Sequence, residues 1–278
     1  MIFKSNNMNL NFKNAVSYLS FKEVDKYNFI KHGYTTRLGG VSEHEYKSLN
    51  FGFKTNDNKN NIEKNYDIFC NCINIKRNNL VLTSQIHEDN ICVVNKQNIN
   101  FESDNFTRFE NTDGLITDNI GICLMTFHAD CAVIYMIDVC KRIIGLAHAG
   151  WRGTVKNIAG KLVQKFLNNY NSKVQDIIVA LGPCIGRCCF EVDIKLLEEF
   201  RKLKIPETYI YKSKNYNKIN IDLLEVNKNL LIKSGIKQES IIKSDICTMC
   251  NHDWLFSHRA TQGKRGTTGA FLMLNKYN

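Results

Sequence analysis

Proline is nearly missing from this chain of 278 residues, occurring only at Pro183 and Pro206, and no stretch rich in Pro, Gly or Ser divides it. A flexible linker between independent units is thereby excluded. Residues 1–278 are expected to form one domain, since a single core can still be buried at this length. Long apolar runs are lacking too. The longest, such as GICLMTF and AVIYMI, fall well short of the roughly 18 residues of a membrane span. The opening residues, MIFKSNNMNLNFKN, carry Asn and Lys where an export signal needs an apolar centre. A cytoplasmic location is therefore expected.

Cysteine, by contrast, is plentiful, with eleven copies. The number is odd and the chain is large enough to fold without staples, so reduced thiols are expected rather than a disulfide framework. The net charge is +10, but its lysines are scattered among Asn and Ile. No basic stripe interleaved with aromatics is present, and no nucleic-acid motif. The charge reads as a solvated surface with a mild attraction for anionic substrates, with neither nucleic acid nor membrane as partner.

Helical periodicity is clearest in TVKNIAGKLVQKFLNN, where Val155, Ile158, Ala159, Leu162, Phe166 and Leu167 share a face and Thr154 is the candidate N-cap. A second helix is expected through Ile62, Tyr66, Phe69, Cys70 and Ile73. A third runs from Asp222, with Glu225 as its capping-box partner, to Gly235. Between them lie short apolar runs bounded by turn residues: LVLTSQIH, NICVV, GICLMTF, AVIYMID, RIIGLAHA, DIIVALG and GAFLMLN. These read as strands. Strands in succession, then helix and strand again, predict an α/β (α+β) fold with helices flanking central mixed β-sheets.

HADCAVIYMIDVCKRIIGLAHAGW sets two apolar runs on either side of the polar corner DVCKR. So short a connection permits only an antiparallel hairpin. A turn centred on Val139 and Cys140 puts Cys131 opposite His148, with Cβ atoms roughly 4.5–5.5 Å apart, so that thiolate and imidazole can share a metal ion or a proton. His87, in LTSQIHEDN, again closes a strand-like run. A lone histidine at a strand end is usually a surface or hydrogen-bonded residue, and a lone cysteine a buried thiol. Two histidines and a cysteine converging are different: they make a tridentate set with an open fourth position, the arrangement of catalytic zinc. Copper or iron would accept the same donors.

Other cysteines carry a weaker signal. CTMCNH puts Cys247, Cys250 and His252 at zinc-like spacing, but a single Cys-x-x-Cys without a second pair favours buried thiols at the end of a strand. In GPCIGRCCFEV, Cys184, Cys188 and Cys189 lack a suitably spaced histidine, and the glycines read as a tight turn near a cleft. Two arginines suit anions. Arg37 precedes Gly39 and Gly40 in TTRLGGVS, and Arg152 with Gly153 stands just before a helix whose first amides attract negative charge.

Taken in order, GYTTRLGGVS, SQIH, NTDGLITD, HADC, AHAGWRGT, GPCIG and FSHR resemble the laccase-domain family, once described as multicopper polyphenol oxidases. Its members are associated with purine nucleoside phosphorolysis, adenosine deamination and, in bacteria, peptidoglycan editing. The resemblance covers roughly residues 30 to 275. It implies a fold similar to the cytotoxic necrotizing factor catalytic fold, and zinc held by His87, Cys131 and His148. It also implies purine nucleosides, methylthioadenosine among them, and phosphate as substrates. Arg37 and Arg152 would then hold phosphate, while Asp130 or Asp113 would position the ribose or stabilise its developing positive charge. The chain departs from the family pattern at Val133, where relatives usually carry proline, at Ala260, where a second arginine often follows SHR, and at Ala270, where arginine is common.

Other readings stay open. A metal-free cysteine hydrolase or deamidase would use Cys131 as nucleophile and His148 as base, leaving His87 without a role. A copper oxidase of phenols would need closely spaced His-x-His pairs, which the seven histidines do not supply. A non-catalytic partner protein is a further reading, although no motif names the partner.

Overall fold

The computed structural model describes residues 3–100, 103 and 105–275. One sheet contains β1 (Met8–Lys13), β2 (Val16–Phe21), β3 (Ile30–Thr35), β4 (Leu80–Ser84), β6 (Thr107–Glu110), β8 (Cys123–His128) and β16 (Thr268–Leu274), in the order β1-β2-β3-β16-β8-β4-β6. A second contains β5 (Ile91–Val93), β7 (Gly114–Thr117), β9 (Ala132–Asp138), β10 (Ile143–Ala149), β11 (Ile177–Leu181) and β15 (Ile241–Lys243), in the order β15-β11-β9-β10-β7-β5. Both are mixed: β4 runs parallel to β6 and β8, β5 to β7, and β11 to β15, while the other pairs are antiparallel. A small third sheet joins β12 (Glu191–Asp193), β13 (Ile210–Lys212) and β14 (Lys218–Ile221).

The two large sheets pack face to face. Leu19, Tyr34, Leu124 and Leu272 of the first meet Val133, Tyr135, Ile137 and Leu146 of the second, and the Tyr135 hydroxyl crosses the interface to donate to Gly33 O at 2.8 Å. Outside the first sheet lies α1 (Lys59–Ile73), whose Tyr66 and Phe69 cover Leu82, Met125 and Phe271. Outside the second lie α3 (Ile158–Tyr170) and α5 (Leu223–Lys233), covering Ile134, Met136 and Val179. Every residue of β9 and β10 is therefore buried, and neither shows the alternation of a half-exposed strand. Each such large apolar side chain contributes roughly 1.5–3 kcal/mol on burial. The mixed α+β architecture is the one the sequence predicts.

Two local expectations need correction. The helix expected to start at Thr154 is two helices, α2 (Trp151–Val155) and α3, with Thr154 inside the first. Asn157 breaks them apart: it adopts the left-handed conformation (φ 62°) and caps α3 by accepting from Gly160 N at 3.0 Å. Asn tolerates that conformation and competes with the helix for backbone donors. Arg152 and Gly153 consequently lie within α2 rather than ahead of a helix. The remaining helix, α4 (Leu197–Arg201), is short. The other two expected helices form where the spacing places them. Asn58 caps α1, and Asp222 caps α5 by accepting from Glu225 N at 2.9 Å.

The second correction is the hairpin register. β9 and β10 are antiparallel, but His148 pairs with Val133, not Cys131. The turn is centred one residue later than expected, between Cys140 and Lys141. Asp138 Oδ1 accepts from both of their amides, at 3.0 and 2.8 Å, and keeps Asp138 as the last paired residue of β9. The shift moves the pairing by two residues and so preserves the face. Cys131 remains on the side of His148, one residue outside the ladder.

Candidate metal centre and active site

Between β8 and β9 the chain passes from one large sheet to the other through Ala129, Asp130 and Cys131, with Asp130 in the left-handed region at φ 83°. Left-handed backbone in a non-glycine residue needs fixed surroundings. Thr248 Oγ1 donates to Asp130 Oδ1 at 2.6 Å, Arg259 N donates to Oδ2 at 2.7 Å, and Ile185 N donates to the Asp130 carbonyl at 2.8 Å. Asp130 thus anchors the crossing with both carboxylate oxygens engaged. His128, ending β8, is buried and places Nδ1 3.2 Å from Cys131 O, with Nε2 2.8 Å from Thr126 Oγ1. Burial first, then the neighbouring His148, pushes His128 well below its ordinary pKa, so it stays neutral.

His87 was expected at the end of a strand. β4 stops at Ser84, and His87 stands in the following turn at φ 62°. Asp113, fully buried, builds that turn: its carboxylate accepts from the amides of Ile86, His87 and Glu88, each at 3.1 Å. The same carboxylate lies 2.9 Å from His148 Nδ1, which leaves His148 Nε2 as the free ring nitrogen. An imidazole held in this way by a carboxylate is the usual support of a metal-binding histidine.

The donor atoms of His87, Cys131 and His148 all lie within 4.8 Å of one another, a group that can hold a metal ion. Gly150 gives an independent test of fit. A Cβ placed there would stand 3.1 Å from Cys131 Sγ, 3.2 Å from His87 Cδ2 and 3.4 Å from His148 Cε1. All three side chains thus pack closely against this one backbone position. Two imidazoles and a thiolate suit zinc, and copper by the same softness, so the residues fit the ion.

Without metal these groups polarise one another. Burial raises the Cys131 thiol, but His148 and His87 outweigh it and hold its pKa at about 6 instead of the ordinary 9.0. Burial lowers His148, yet Cys131 and Asp113 prevail and raise it to about 9 from 6.5. Alkylation of Cys131 in metal-free protein is therefore expected to be half-maximal near pH 6 and to fall away at lower pH, as protonation removes the thiolate. In His148→Ala the midpoint, followed by mass spectrometry of the labelled peptide, should move up toward the ordinary thiol value. An unchanged midpoint would disprove the pairing.

A cavity of about 290 Å³ opens beside the three donors. Phe51, Phe53 and Phe127 give it apolar walls, and Lys54, Arg108 and Arg265 bring positive charge. Arg265 is the most confined of these cations. Desolvation lowers its pKa against the attraction of Cys131, Asp130 and Tyr34, and its buried Nε has no hydrogen-bond partner. Among the described residues no Asp or Glu lines the cavity.

Several residues singled out for substrate lie elsewhere. Arg37 donates to Lys47 O at 2.6 Å and to His252 O at 3.1 Å, with its guanidinium 4.7 Å from the Phe256 ring centroid, and ties loops together. Arg152 is exposed and stacks over Trp151, 4.3 Å from the ring centroid. Gly153 is buried where an added Cβ would meet Glu88 O at 2.7 Å, so its smallness lets α2 pack on the His87 turn. Arg37, Arg152, Gly153, Asp113 and Asp130 do not line the cavity. Nor are Cys247 and Cys250 buried thiols at a strand end: Cys250 is exposed in a turn, and Cys247 is half-buried at an isolated bridge just before that turn. Arg265 carries no mark in the sequence beyond a basic residue beside glycine in GKRGTTG.

Residues 31–275 match the family model described as multi-copper polyphenol oxidoreductase laccase. The chain is 33% identical over 242 residues to a protein of Geobacillus stearothermophilus named purine nucleoside phosphorylase YlmD, a match covering 86% of this chain and 88% of that one. It is 30% identical over 241 residues to the protein of the same name from Bacillus subtilis, covering 86% and 87%. The crystal structure of YlmD from Geobacillus stearothermophilus superposes with a TM-score of 0.88 at 29% identity, covering 98% of this chain and all of that one. With nearly its whole length matched in sequence and in fold, the chain belongs to the multi-copper polyphenol oxidoreductase laccase family.

Proposed function

We propose that the chain is a zinc-dependent purine nucleoside phosphorylase that also cleaves methylthioadenosine and deaminates adenosine, with residues 1–278 forming one laccase-like domain. The observation that carries this reading is the meeting, in one cavity, of the His87, Cys131 and His148 donors with the guanidinium-bearing Arg265. Relatives named purine nucleoside phosphorylase support it. Zinc at the three donors would supply a Lewis acid.

The remaining chemistry falls to the chain's own residues. Arg265, with Lys54 and Arg108 at the exposed rim, would seat phosphate, and the net positive charge would draw it in. Phe51, Phe53 and Phe127 offer the apolar surface a purine needs. Holding phosphate beside the ribose anomeric carbon makes its attack effectively unimolecular as the purine departs. Deamination in the same cavity asks for more. Attack at adenine C6 needs a group that moves protons, and no carboxylate lines the cavity among the described residues. The geometry therefore favours phosphorolysis as the main activity.

The test is release of free base from inosine, adenosine and methylthioadenosine by metal-loaded protein, with and without phosphate, together with conversion of adenosine to inosine. Base release that requires phosphate is the expected result; no change in any substrate would refute the reading. Arg265→Met should raise the KM for phosphate by about 10-fold or more, the scale of one lost charge-assisted hydrogen bond. Nucleoside binding, measured separately, should change little.

A further inference from the structure

A second group of sulfur ligands lies outside the cavity. Cys188 and Cys189 occupy a turn before β12, Cys247 immediately precedes, and Cys250 lies in, a turn after β15, and all four Sγ atoms lie within 4.8 Å of one another. Cys250 Sγ is 3.4 Å from Cys189 Sγ and 3.6 Å from Cys188 Sγ. Those separations are far beyond a disulfide at about 2.05 Å. They approach the edge of a tetrahedron of sulfurs about 2.3 Å from a central zinc, which is about 3.8 Å.

The backbone is arranged for the same purpose. Gly186 N donates to Cys247 Sγ at 3.1 Å, the kind of amide contact that stabilises a thiolate ligand. A Cβ on Gly186 would come within 3.1 Å of Cys247 Cβ and 3.2 Å of Cys188 Sγ, so glycine there lets the two turns close on each other. A parallel bridge between Cys184 and Cys247, with Thr248 N donating to Cys184 O at 3.0 Å, fixes one turn against the other. His252, the histidine of CTMCNH, is not in the group; its Nδ1 lies 2.9 Å from Met249 O. Cys184 is buried apart, with Sγ 3.2 Å from Ile185 O.

We infer that Cys188, Cys189, Cys247 and Cys250 form a structural tetrathiolate site for zinc, separate from the His87, Cys131 and His148 group. A closed set of four cysteines leaves no position for substrate, which is the mark of a structural rather than a catalytic ion. The ion ties together two turns that each hold the crossing at Asp130. Ile185 N reaches the Asp130 carbonyl, and Thr248 Oγ1 its carboxylate. Cys189 O also accepts from Arg259 Nη1 at 3.2 Å, and Arg259 N binds Asp130 in turn. The site thus braces from behind the turn that presents Cys131.

Metal content decides the matter without reference to catalysis. Protein grown with zinc, purified under reducing conditions and washed with a mild chelator should carry a zinc equivalent that persists in His148→Ala and disappears in the double variant Cys188→Ser/Cys250→Ser. Cobalt substituted into His148→Ala should give the intense sulfur-to-metal absorption of a tetrathiolate, lost in the triple variant that adds the two serines. Should the serine variants fail to fold, the wild-type chain answers alone: the four thiols should resist alkylation until zinc is chelated, while exposed Cys140 reacts at once. Equal zinc in wild type and double variant, alkylation of the four at the rate of Cys140 with zinc present, or a disulfide among them under reducing conditions would each overturn the inference. The His148→Ala background keeps failure here distinct from failure of the cavity reading.

Discussion

Serine at position 131, or alanine at 148, is expected to strip the ion from the cavity and to lower kcat/KM for nucleoside phosphorolysis by about 10³-fold, equivalent to about 4 kcal/mol of transition-state stabilisation. Among the described residues these three donors meet within 4.8 Å of one another, and all three pack against Gly150. His87→Ala is the discriminating variant. If Cys131 were instead a nucleophile with His148 as its base, losing His87 would leave the reaction largely intact. As a ligand, His87 should be as costly to remove as the other two. Metal analysis and steady-state kinetics on all three variants separate these outcomes, and full activity in metal-free His87→Ala would end the metal reading.

Asp113→Asn should destabilise the fold strongly although the change is conservative. The carboxylate is fully buried and accepts from three consecutive amides and from His148, so it builds the His87 turn and aims the His148 ring together. An amide in its place must direct N–H toward a donor and lose a charged partner of a buried histidine, at a cost of about 3–5 kcal/mol. Metal affinity should fall by about 10–100-fold, the usual effect of losing such a support. Desolvation raises the Asp113 pKa, but the His148 bond and the Ile86 and Glu88 amides outweigh it and hold it below the ordinary 3.8. Its contribution to stability is therefore complete above that value and is lost as pH falls through the lower folded value. Chemical denaturation at neutral pH measures the loss, and a change under 1 kcal/mol would contradict the assigned role.

Much of the fold was legible because burial periodicity and caps are local properties. The seven apolar runs became β4, β5, β8, β9, β10, β11 and β16, and Asp222 caps its helix as the spacing requires. The strands left unread lie mainly at the amino terminus and in the third sheet. β1 reads MNLNFK, whose Asn and Lys conceal its pairing with β2, and β12 to β14 are only three or four residues long. Neither carries enough apolar pattern to stand out from loop. The single helix drawn through Asn157 failed because one side chain chose to cap rather than to continue.

By itself the sequence determined which residues carry soft metal donors, which runs are apolar enough to be buried, and that one hairpin brings Cys131 and His148 to the same face. It could not determine the turn at His87, because Asp113, which holds it, lies 26 residues away along the chain. Nor could it distinguish Arg265 from Arg37 or Arg152, since an arginine's role depends on where packing puts its guanidinium, and of the three only Arg265 lines the cavity. The same holds for the second sulfur group: neither CC nor CxxC is a metal site alone, and folding sets turns 61 residues apart against each other. Local pattern fixes which groups are buried; the packing of distant segments fixes which of them meet.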